Sequence, residues 1–439
     1  MDESREPQLL TDPVLLQPTP TSIKVVWFTE FQGVEHRVIY GSERQETAIT
    51  SRLTRSREDS QSYLPTDCAF QLTGAGPQQR PIWRHEVAIS TLTPGQRLPY
   101  HVESTHENGE VIKSKTYTLA ATPASGAALK ILLTSDHQLK PMVAANLQKV
   151  VETVGAVDAI FYAGDLVNVP DRASEWFDDA RGNAWFCCLQ GQATGDYRGG
   201  ALIQNAPIFT TVGNHEVMGR YSEKSSLHAQ FKDPVPVAAA SDKGPLQDQS
   251  FNTITYDEIF KGQSLGGPQY YAITFGDIRL IVLYAANVFR SPALTPETKG
   301  KYRERDQDLQ QSAQWGHGQH IFESIAPGSP QYEWLQAELQ SAAFKQAKYK
   351  IAMWHHPVHS LGGNVVPAYT DPVQVIDRDS VGQIKRVCYE YPRSADYLVR
   401  DVLPLIEEAD VQLVLYGHCH LWNRFLNGKT NYLETSNVG

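Results

Sequence analysis

The pattern of hydrophobic and polar positions divides the chain into two parts. In the first part, short apolar or alternating runs at 23–28, 35–41 and 83–91 are separated by turn residues. Runs of this length, with no long helical period between them, predict β-strands. We therefore expect residues 1–122 to form a small β-sandwich.

The second part, residues 128–439, follows a segment rich in Ala, Thr, Pro, Ser and Gly at 120–128. Apolar runs typical of strands alternate here with segments whose apolar residues recur every three or four positions, which predicts helices. Because strands covered on both faces by helices form layers, we expect an α/β sandwich. The predicted elements are helices at 141–154 before Gly155, from Ser329-Pro330 onward and at 396–408, and a β-hairpin at 270–284.

Three long segments of the second part lack a clear period and are rich in Gly, Pro and Ser. They cover residues 182–200, 220–267 and 289–328. Long loops within a compact domain are usually functional or mobile. We therefore expect these segments to frame the mouth of a site.

Polar motifs directly follow five predicted strands, which cover 129–134, 157–163, 207–212, 349–354 and 411–416. The motifs are Ser135-Asp136-His137-Gln138, Gly164-Asp165-Leu166-Val167-Asn168, Gly213-Asn214-His215-Glu216, His355-His356-Pro357 and Gly417-His418-Cys419-His420. Loops at strand ends are held rigid and converge in α/β proteins. Carboxylate, amide and imidazole groups suit borderline metals, so the set predicts a two-metal phosphoesterase site.

With these motifs the sequence resembles the calcineurin-like metallophosphoesterases and, within them, the purple acid phosphatases. The most specific parts are Gly213-Asn214-His215-Glu216 and Gly417-His418-Cys419-His420. The resemblance implies a four-layer α/β/β/α sandwich at 128–439, preceded by a fibronectin type III-like sandwich. The turn at 92–95, which leads into a run with Tyr100, is similar to the tyrosine-corner region of such sandwiches.

The resemblance also implies two metal ions, divalent or of mixed valence, with Fe, Mn and Zn as candidates. Asp165 would bridge the two ions, because a carboxylate has two oxygens. The first ion would take Asp136, Asp165 and His420, and the second Asp165, Asn214, His355 and His418.

Four further residues have roles that the sequence leaves open. His215 would face the substrate, where it either stabilises charge on the phosphoryl group or protonates the leaving oxygen. Glu216 would orient an imidazole by accepting its N–H, or is a carboxylate at a helix start. His356 and His359 each either face the substrate or are hydrogen-bonded loop histidines.

Two positions depart from the purple acid phosphatase pattern. Asn168 stands where that family has a tyrosine ligand of ferric iron, so no charge-transfer colour is expected. Asn168 would donate to a metal-bound water or cap its turn. Gln138 resembles the ligand glutamine of manganese-dependent ADP-ribose and CDP-alcohol pyrophosphatases, and both a ligand and a non-ligand role are open.

Composition and charge narrow the possible partners. The formal net charge is −10 over 439 residues, which disfavours nucleic acid, whereas bound metal ions would still attract a small phosphate ester. There is no apolar run of about 18 residues, so no membrane helix is expected. The polar N-terminus lacks a signal layout, which favours the cytoplasm unless a leader has been removed. Five cysteines without framework spacing are expected to be reduced, buried thiols.

The leading functional hypothesis is a phosphomonoesterase of the acid phosphatase type. In it a metal-bridging hydroxide attacks phosphorus and His215 assists the departing alkoxide. Gln138 and Asn168 suggest a phosphodiesterase or nucleotide pyrophosphatase as the alternative. A third hypothesis, a protein that binds phosphate or metal without turnover, is disfavoured by the complete ligand set. The sequence does not indicate an oligomeric state.

Overall fold

The first part of the chain consists of β-strands and turns. The structure is a computed structural model that describes residues 6–74, 76–233, 251–261, 269–288, 303–316, 320–321, 323–359, 361–362 and 367–435. The strands of the first part are β1 (Val14–Leu16), β2 (Ile23–Thr29), β3 (Glu35–Tyr40), β4 (Arg44–Thr47), β5 (Ile49–Arg52), β6 (Arg57–Glu58), β7 (Gln78–Gln79), β8 (Trp83–Ile89), β9 (Leu98–Thr105), β10 (Val111–Lys113) and β11 (Tyr117–Leu119).

Apart from β6 and β7, which pair with each other, these strands form two antiparallel sheets that pack on each other. One sheet has the order β1-β2-β8-β5, and the other has the order β10-β9-β3-β4 with β11 also paired to β9. Residues from both sheets, among them Val25, Trp27, Val38, Val87 and Val102, share one hydrophobic core. The β-rich first part that the sequence predicts is therefore present.

Strand β2 is buried on both faces, which explains its continuous apolar run. Val25 and Trp27 belong to the core between the two sheets. Val26 and Phe28 belong instead to a core that also contains residues of the second part of the chain. A strand covered on both faces is apolar throughout and does not alternate. The two parts are thus joined by shared hydrophobic packing.

Tyr100 does not form the tyrosine corner that the sequence suggested. Its hydroxyl donates to the carbonyl oxygen of Gln204 in the second part of the chain, at 2.7 Å. In a tyrosine corner the hydroxyl binds backbone a few residues upstream. The fibronectin type III identity of the sandwich therefore stays a prediction, as does its boundary.

The second part alternates strands with helices. Its strands are β12 (Ile131–Thr134), β13 (Ala159–Tyr162), β14 (Ile208–Thr210), β15 (Tyr271–Phe275), β16 (Ile278–Val282), β17 (Asn287–Val288), β18 (His320–Ile321), β19 (Tyr349–Met353), β20 (Val373–Arg378), β21 (Ile384–Glu390), β22 (Leu413–Tyr416), β23 (Trp422–Asn427) and β24 (Thr430–Thr435). Its helices are α1 (Val143–Val154), α2 (Ala173–Phe177), α3 (Trp185–Gln190), α4 (Leu227–Phe231), α5 (Ile254–Ile259), α6 (Pro330–Gln340), α7 (Ala342–Gln346) and α8 (Leu403–Glu408).

Two sheets form the centre of this part. The small sheet is parallel, with the order β12-β13-β14, and the large sheet has the order β15-β16-β19-β22-β24-β23. Phe161 and Phe209 of the small sheet pack against Leu280, Met353 and Leu415 of the large one. Helices α1 and α3 share a core with the small sheet, and α6 and α8 share one with the large sheet. This is the four-layer α/β/β/α sandwich that the family resemblance implies.

The predicted helix at 141–154 begins two residues late, at Val143, and ends before Gly155 as expected. Gly155 has a φ of +76°, a conformation that favours glycine. Val143 and Leu147 are buried, as their spacing predicts. Val151 and Val154, in the last turn, are exposed.

The other two predicted helices are also present. Pro330 begins α6, and the Ser329 hydroxyl oxygen accepts the N–H of Tyr332 at 3.3 Å. The segment at 396–408 is a π-helical turn, Leu398–Val402, followed by α8. Pro404 lies in the first turn of α8, where its missing N–H is tolerated. The proline therefore lies at the start of an α-helix.

Parts of the three long segments contain helices too short to show a period in the sequence. Segment 182–200 contains α3, which buries Trp185 and Phe186. The described portions of segment 220–267 contain α4 and α5. Much of segment 289–328 lies outside the described residues, so its expected place at the mouth of the site stays a prediction.

The cysteines agree with the expected reduced state, because all five are free. Cys68, Cys188 and Cys419 are buried, and the other two are half-buried. Among the described helices, none is both long and apolar enough to cross a lipid bilayer.

Candidate metal centre

The five predicted strands are present as β12, β13, β14, β19 and β22. The first three are parallel neighbours in the small sheet, and the last two are parallel neighbours in the large sheet. The carboxyl ends of parallel strands lie at one edge of a sheet, where α/β proteins place their sites. The motif loops meet at this edge.

Asp165 lies at the centre of the candidate residues. Its Oδ2 atom is 3.2 Å from Nε2 of His355 and accepts from Nε2 of Gln138 at 3.0 Å. Its Oδ1 atom accepts the backbone N–H of His215 at 2.9 Å. Although burial disfavours the charged form, His355, His215 and His418 together lower the pKa of Asp165. The site therefore holds a negative charge at its middle.

The surroundings of His355 fit a cation. Its Nδ1 lies 2.7 Å from the carbonyl oxygen of Ala163, which can only accept, so Nδ1 carries a proton. The other nitrogen, Nε2, lies 3.2 Å from Oδ1 of Asn214 and 3.2 Å from Oδ2 of Asp165. Although burial lowers it, the charge of Asp165 raises the pKa of His355 to about 10. Positive charge is thus stabilised where one nitrogen and two oxygens converge, a donor set that divalent metals use.

Among the described residues, two groups of ligand atoms are compact enough to hold an ion. Within each group the atoms lie no more than 4.8 Å apart; one group is Asp136, Asp165 and His355, and the other is His355, His356 and His418. Nδ1 of His418 is 3.2 Å from Nε2 of His355. His356, for which the sequence left two roles open, is thus a buried neighbour of the candidate ligands.

Asp136 connects the 417–420 loop to the small sheet. Its two carboxylate oxygens accept the backbone N–H of His418 at 3.1 and 3.0 Å. Its Oδ1 atom is also 3.6 Å from Nε2 of His420, whose side chain is partly exposed. A Cβ on Gly417 would overlap Oδ2 of Asp136 and the Ser135 hydroxyl, so only glycine allows this approach.

The backbone at the motifs has an unusual conformation. Asp136, Gln138, Asp165, His418 and His420 all have positive φ, between 43° and 82°. Non-glycine residues adopt this region at an energetic cost, and such residues cluster at functional sites. The surrounding hydrogen bonds must therefore hold these loops in place.

Glu216, for which the sequence left two roles open, binds backbone N–H groups. Its fully buried carboxylate accepts the backbone N–H groups of Gly213 at 2.7 Å, Asp165 at 2.8 Å and Leu166 at 2.7 Å. Burial and the charge of Asp165 raise the pKa of Glu216 to about 8, while the three donors favour its ionised form. Glu216 thus joins two motif loops through their backbone, because three N–H groups point to its carboxylate.

The side chain of Asn168 binds the backbone of the first motif. Its Nδ2 donates to the carbonyl oxygen of Gln138 at 2.8 Å. Its own carbonyl oxygen accepts from Nδ1 of His215 at 2.8 Å. A carbonyl only accepts, so Nδ1 of His215 carries a proton and the ring directs Nε2 away from Asn168. The residue that replaces the family tyrosine therefore joins the first motif to His215.

His359 is hydrogen-bonded within its loop and to Glu434. Its Nε2 lies 2.8 Å from Oε2 of Glu434, and its Nδ1 accepts the N–H of Leu361 at 3.1 Å. Oε1 of Glu434 accepts the N–H of Cys419 at 3.1 Å. Of the two roles left open for His359, the structure shows the hydrogen-bonded loop histidine, because a buried carboxylate holds its ring.

Glu434 supports two loops of the site and lies outside the five sequence motifs. It lies on β24 with Thr430 and Tyr432 on the buried face of an alternating strand. An acidic residue on the buried face of a strand is a signal that the sequence does contain. Its supporting role could not be seen in the sequence, because its partners His359 and Cys419 lie outside β24 and 75 and 15 residues away along the chain.

Comparison with known proteins identifies the family to which this fold and site belong. A family model described as calcineurin-like phosphoesterase matches residues 129–421, and the chain belongs to that family. The chain is similar in structure to purple acid phosphatase PPD1 from seeds of yellow lupin (Lupinus luteus), with a TM-score of 0.56 and 14% identity. That match covers 96% of this chain and 64% of the lupin chain, so the chain spans less than two thirds of the lupin protein.

Two further solved structures are similar only at a distance. GAP50, described as the anchor in the inner membrane complex of Plasmodium, has a TM-score of 0.33 and 12% identity, over 71% of this chain and 72% of its own. Phosphopantetheinyl hydrolase from Mycobacterium tuberculosis has a TM-score of 0.30 and 12% identity, over 71% of this chain and 90% of its own. No curated protein matches the sequence.

Proposed function

We propose that the protein is a metal-dependent hydrolase of phosphate monoesters, of the acid phosphatase type. The observation that supports this most is the convergence of His355, Asn214 and Asp165 at 3.2 Å, in a chain of the calcineurin-like phosphoesterase family. The proposed ligands are Asp136, Asp165 and His420 for one ion, and Asp165, Asn214, His355 and His418 for the other. When bound, two ions such as Fe, Mn or Zn supply an activated water and positive charge for the phosphoryl oxygens.

The protein's own residues would prepare and complete the reaction. The Ala163 carbonyl fixes the tautomer of His355, so that Nε2 is the atom offered to an ion. The Asn168 carbonyl fixes Nδ1 of His215, so that Nε2 is the atom offered to the substrate. We infer that the protonated Nε2 of His215 donates to the alkoxide as the ester bond breaks.

A phosphodiesterase or nucleotide pyrophosphatase is the second candidate, and one observation favours it. The buried side chain of Gln138 lies against the proposed bridging carboxylate, 3.0 Å from Oδ2 of Asp165. This is where a ligand glutamine of the pyrophosphatase type would stand. The first candidate is preferred because Asn168, the other departure, binds backbone and so adds nothing to a diester site.

Turnover of two nitrophenyl esters distinguishes the candidates. Protein reconstituted with Mn, Fe or Zn should hydrolyse para-nitrophenyl phosphate faster than bis-para-nitrophenyl phosphate, and a chelator should abolish both activities. A faster reaction with the bis ester would favour the diesterase. Metal binding without hydrolysis of either ester would favour a binding protein and would overturn the proposal.

A further inference from the structure

We propose that Asp59, in the β-rich first part of the chain, is a positioning residue for His215. This inference rests on the proposed function, because it concerns the residue that would face the substrate. Asp59 is buried, with 1% exposure, and follows β6 directly. In the described part of the chain, the hydrogen bonds of its carboxylate do not reach a proposed metal ligand, so Asp59 would act on the site through other residues.

The first connection is a chain of four hydrogen bonds. Oδ1 of Asp59 accepts from Nη2 of Arg172 at 3.2 Å, and Nη1 of Arg172 donates to Oε1 of Glu175 at 3.0 Å. Oε2 of Glu175 accepts the backbone N–H of Asn168 at 2.7 Å. The carbonyl oxygen of Asn168 accepts from Nδ1 of His215 at 2.8 Å. The position of the Asn168 backbone, and with it the direction of the His215 ring, therefore depends on Asp59.

The second connection starts from the other oxygen of the same carboxylate. Oδ2 of Asp59 accepts the N–H of Leu227, the first residue of α4, at 2.6 Å. Phe231, the last residue of α4, packs on His215 with 5.3 Å between ring centroids. Asp59 thus holds both the group that binds Nδ1 of His215 and the ring that packs against the imidazole.

The segment that carries Asp59 is itself fixed to the second part of the chain. The backbone N–H of Arg57 donates to the carbonyl oxygen of Asp171 at 2.8 Å, and Nη2 of Arg57 lies 2.6 Å from Oδ2 of Asp171. Both side chains are almost fully buried. Charge-assisted bonds in a buried place are strong and directional. The first part of the chain therefore contributes a rigid support to the site.

A double-mutant cycle separates a positioning role from a structural one. The change Asp59→Asn keeps the shape of the side chain but removes its charge and one acceptor. We expect kcat to fall by about 10-fold, because small displacements of a reacting group reduce rates strongly, with KM and metal content unchanged. In the His215→Ala background the same change should lower kcat by less than about 2-fold, because the residue on which Asp59 acts is absent.

Asp178→Asn is the matched control. Asp178 is a carboxylate at the same junction and accepts from Nη1 and Nη2 of Arg80 at 2.8 and 2.6 Å. Within the described part of the chain, its hydrogen bonds do not lead to His215. We expect Asp178→Asn to change kcat by less than about 2-fold in either background. An equal loss from Asp59→Asn in both backgrounds, or no loss at all, would overturn the proposal.

A second variant and a second readout keep the test decisive. If Asp59→Asn does not fold, Phe231→Leu removes only the ring contact, and its loss of kcat should also vanish in the His215→Ala background. The Nδ1–H resonance of His215 in histidine-labelled protein should shift in Asp59→Asn and stay unchanged in Asp178→Asn. This resonance needs no turnover, so an inactive wild-type protein would refute the proposed function alone, whereas an unshifted resonance would refute the role of Asp59.

Discussion

Two groups of buried histidines lie in the two parts of the molecule, and their partners differ. In the first part, His36 and His85 stack with 3.6 Å between ring centroids. The ring nitrogens of His85 lie 2.8 Å from the hydroxyl of Thr29 and 2.9 Å from that of Thr50. Nδ1 of His36 lies 2.9 Å from the hydroxyl of Ser104. The Thr29 hydroxyl donates to the carbonyl oxygen of Phe31, so Nε2 of His85 donates to Thr29 and Nδ1 accepts from Thr50. Nε2 of His36 donates to the carbonyl oxygen of Gln32 at 2.7 Å, and a neutral ring satisfies each of these sets of partners.

In the second part, the ring of His355 meets a carboxylate and an amide oxygen, and Nδ1 of His418 lies 3.2 Å from Nε2 of His355. One nitrogen of His355 is fixed as a donor by the Ala163 carbonyl, and the other lies beside Asp165 and Asn214. The pKa of His355 is raised to about 10, by Asp165 against burial, whereas burial lowers the pKa of His85 to about 2. The comparison teaches that burial of a histidine does not by itself indicate a metal site, whereas convergence of a ring nitrogen with a carboxylate oxygen and an amide oxygen makes one a candidate.

Asp165→Asn should remove the difference in charge between the two histidine groups, and its effect on turnover should be the largest. It removes the charge that favours a cation and, in the proposed ligand set, weakens both ions. Hydrolysis of para-nitrophenyl phosphate should fall by more than about 10⁴-fold, because metal ions supply most of the stabilisation of charge in such reactions. Metal analysis of the purified variant should show a lowered content.

The control for this variant comes from the other histidine group. His85→Gln lies in the first part of the chain and should leave both metal content and turnover per folded molecule unchanged. Full activity of Asp165→Asn with unchanged metal content would refute the proposed bridging role.

His215→Ala should have the next largest effect and should spare the metals. Its Nδ1 is bound to the Asn168 carbonyl, so only Nε2 is offered to the site. We expect the rate to fall by about 10²–10⁴-fold, the usual range for a positioned acid. The loss should be smaller for nitrophenyl phosphate than for alkyl phosphates, since nitrophenolate needs little protonation.

The dependence on the leaving group is the decisive part of that experiment. An equal loss for nitrophenyl and alkyl phosphates would leave His215 with charge stabilisation alone. Loss of metal would mean instead that His215 belongs among the ligands.

The ligand motifs could be found in the sequence because each one is local. Asp136, Asp165 and His418 each follow their strand within a few residues, and the strand ends are visible as apolar runs. The layered fold was visible for the same reason, since apolar runs and helical periods alternate. The short helix α3 was missed because its six residues span fewer than two helical turns.

The supports of the site could not be found because their partners are distant in the chain. Asp59 and Arg172 are 113 residues apart, and His359 and Glu434 are 75 residues apart. Two roles stayed open for Glu216, because the sequence shows neighbouring histidines but not the direction of backbone N–H groups. Tertiary geometry alone decides which polar groups meet.

The smallest expected effect is on the free energy of unfolding, and it tests whether the buried histidines of the first part stay neutral. Burial, His36 and Arg84 lower the pKa of His85 to about 2, and burial lowers the pKa of His36. In the unfolded chain both rings take up protons below about pH 6.5, while the folded protein resists this uptake. The free energy of unfolding should therefore fall as the pH drops below 6.5, by up to about 1.4 kcal/mol per pH unit for each ring.

His85→Gln tests this contribution because glutamine can still hydrogen-bond to a threonine hydroxyl but does not titrate. The variant should be less stable at pH 7.5, since its packing against Trp27 changes; the two rings lie 5.4 Å apart in the native protein. Between pH 6 and pH 4.5, however, its free energy of unfolding should depend on pH less steeply, by up to about 1.4 kcal/mol per unit. Urea unfolding of the apo proteins, followed by circular dichroism at several pH values, measures both slopes. Removing the metals first keeps their loss in acid from contributing to either slope. Equal pH dependence of the two proteins would show that His85 takes up a proton in the folded state. The two histidine groups would then differ in their hydrogen-bond partners but not in their charge.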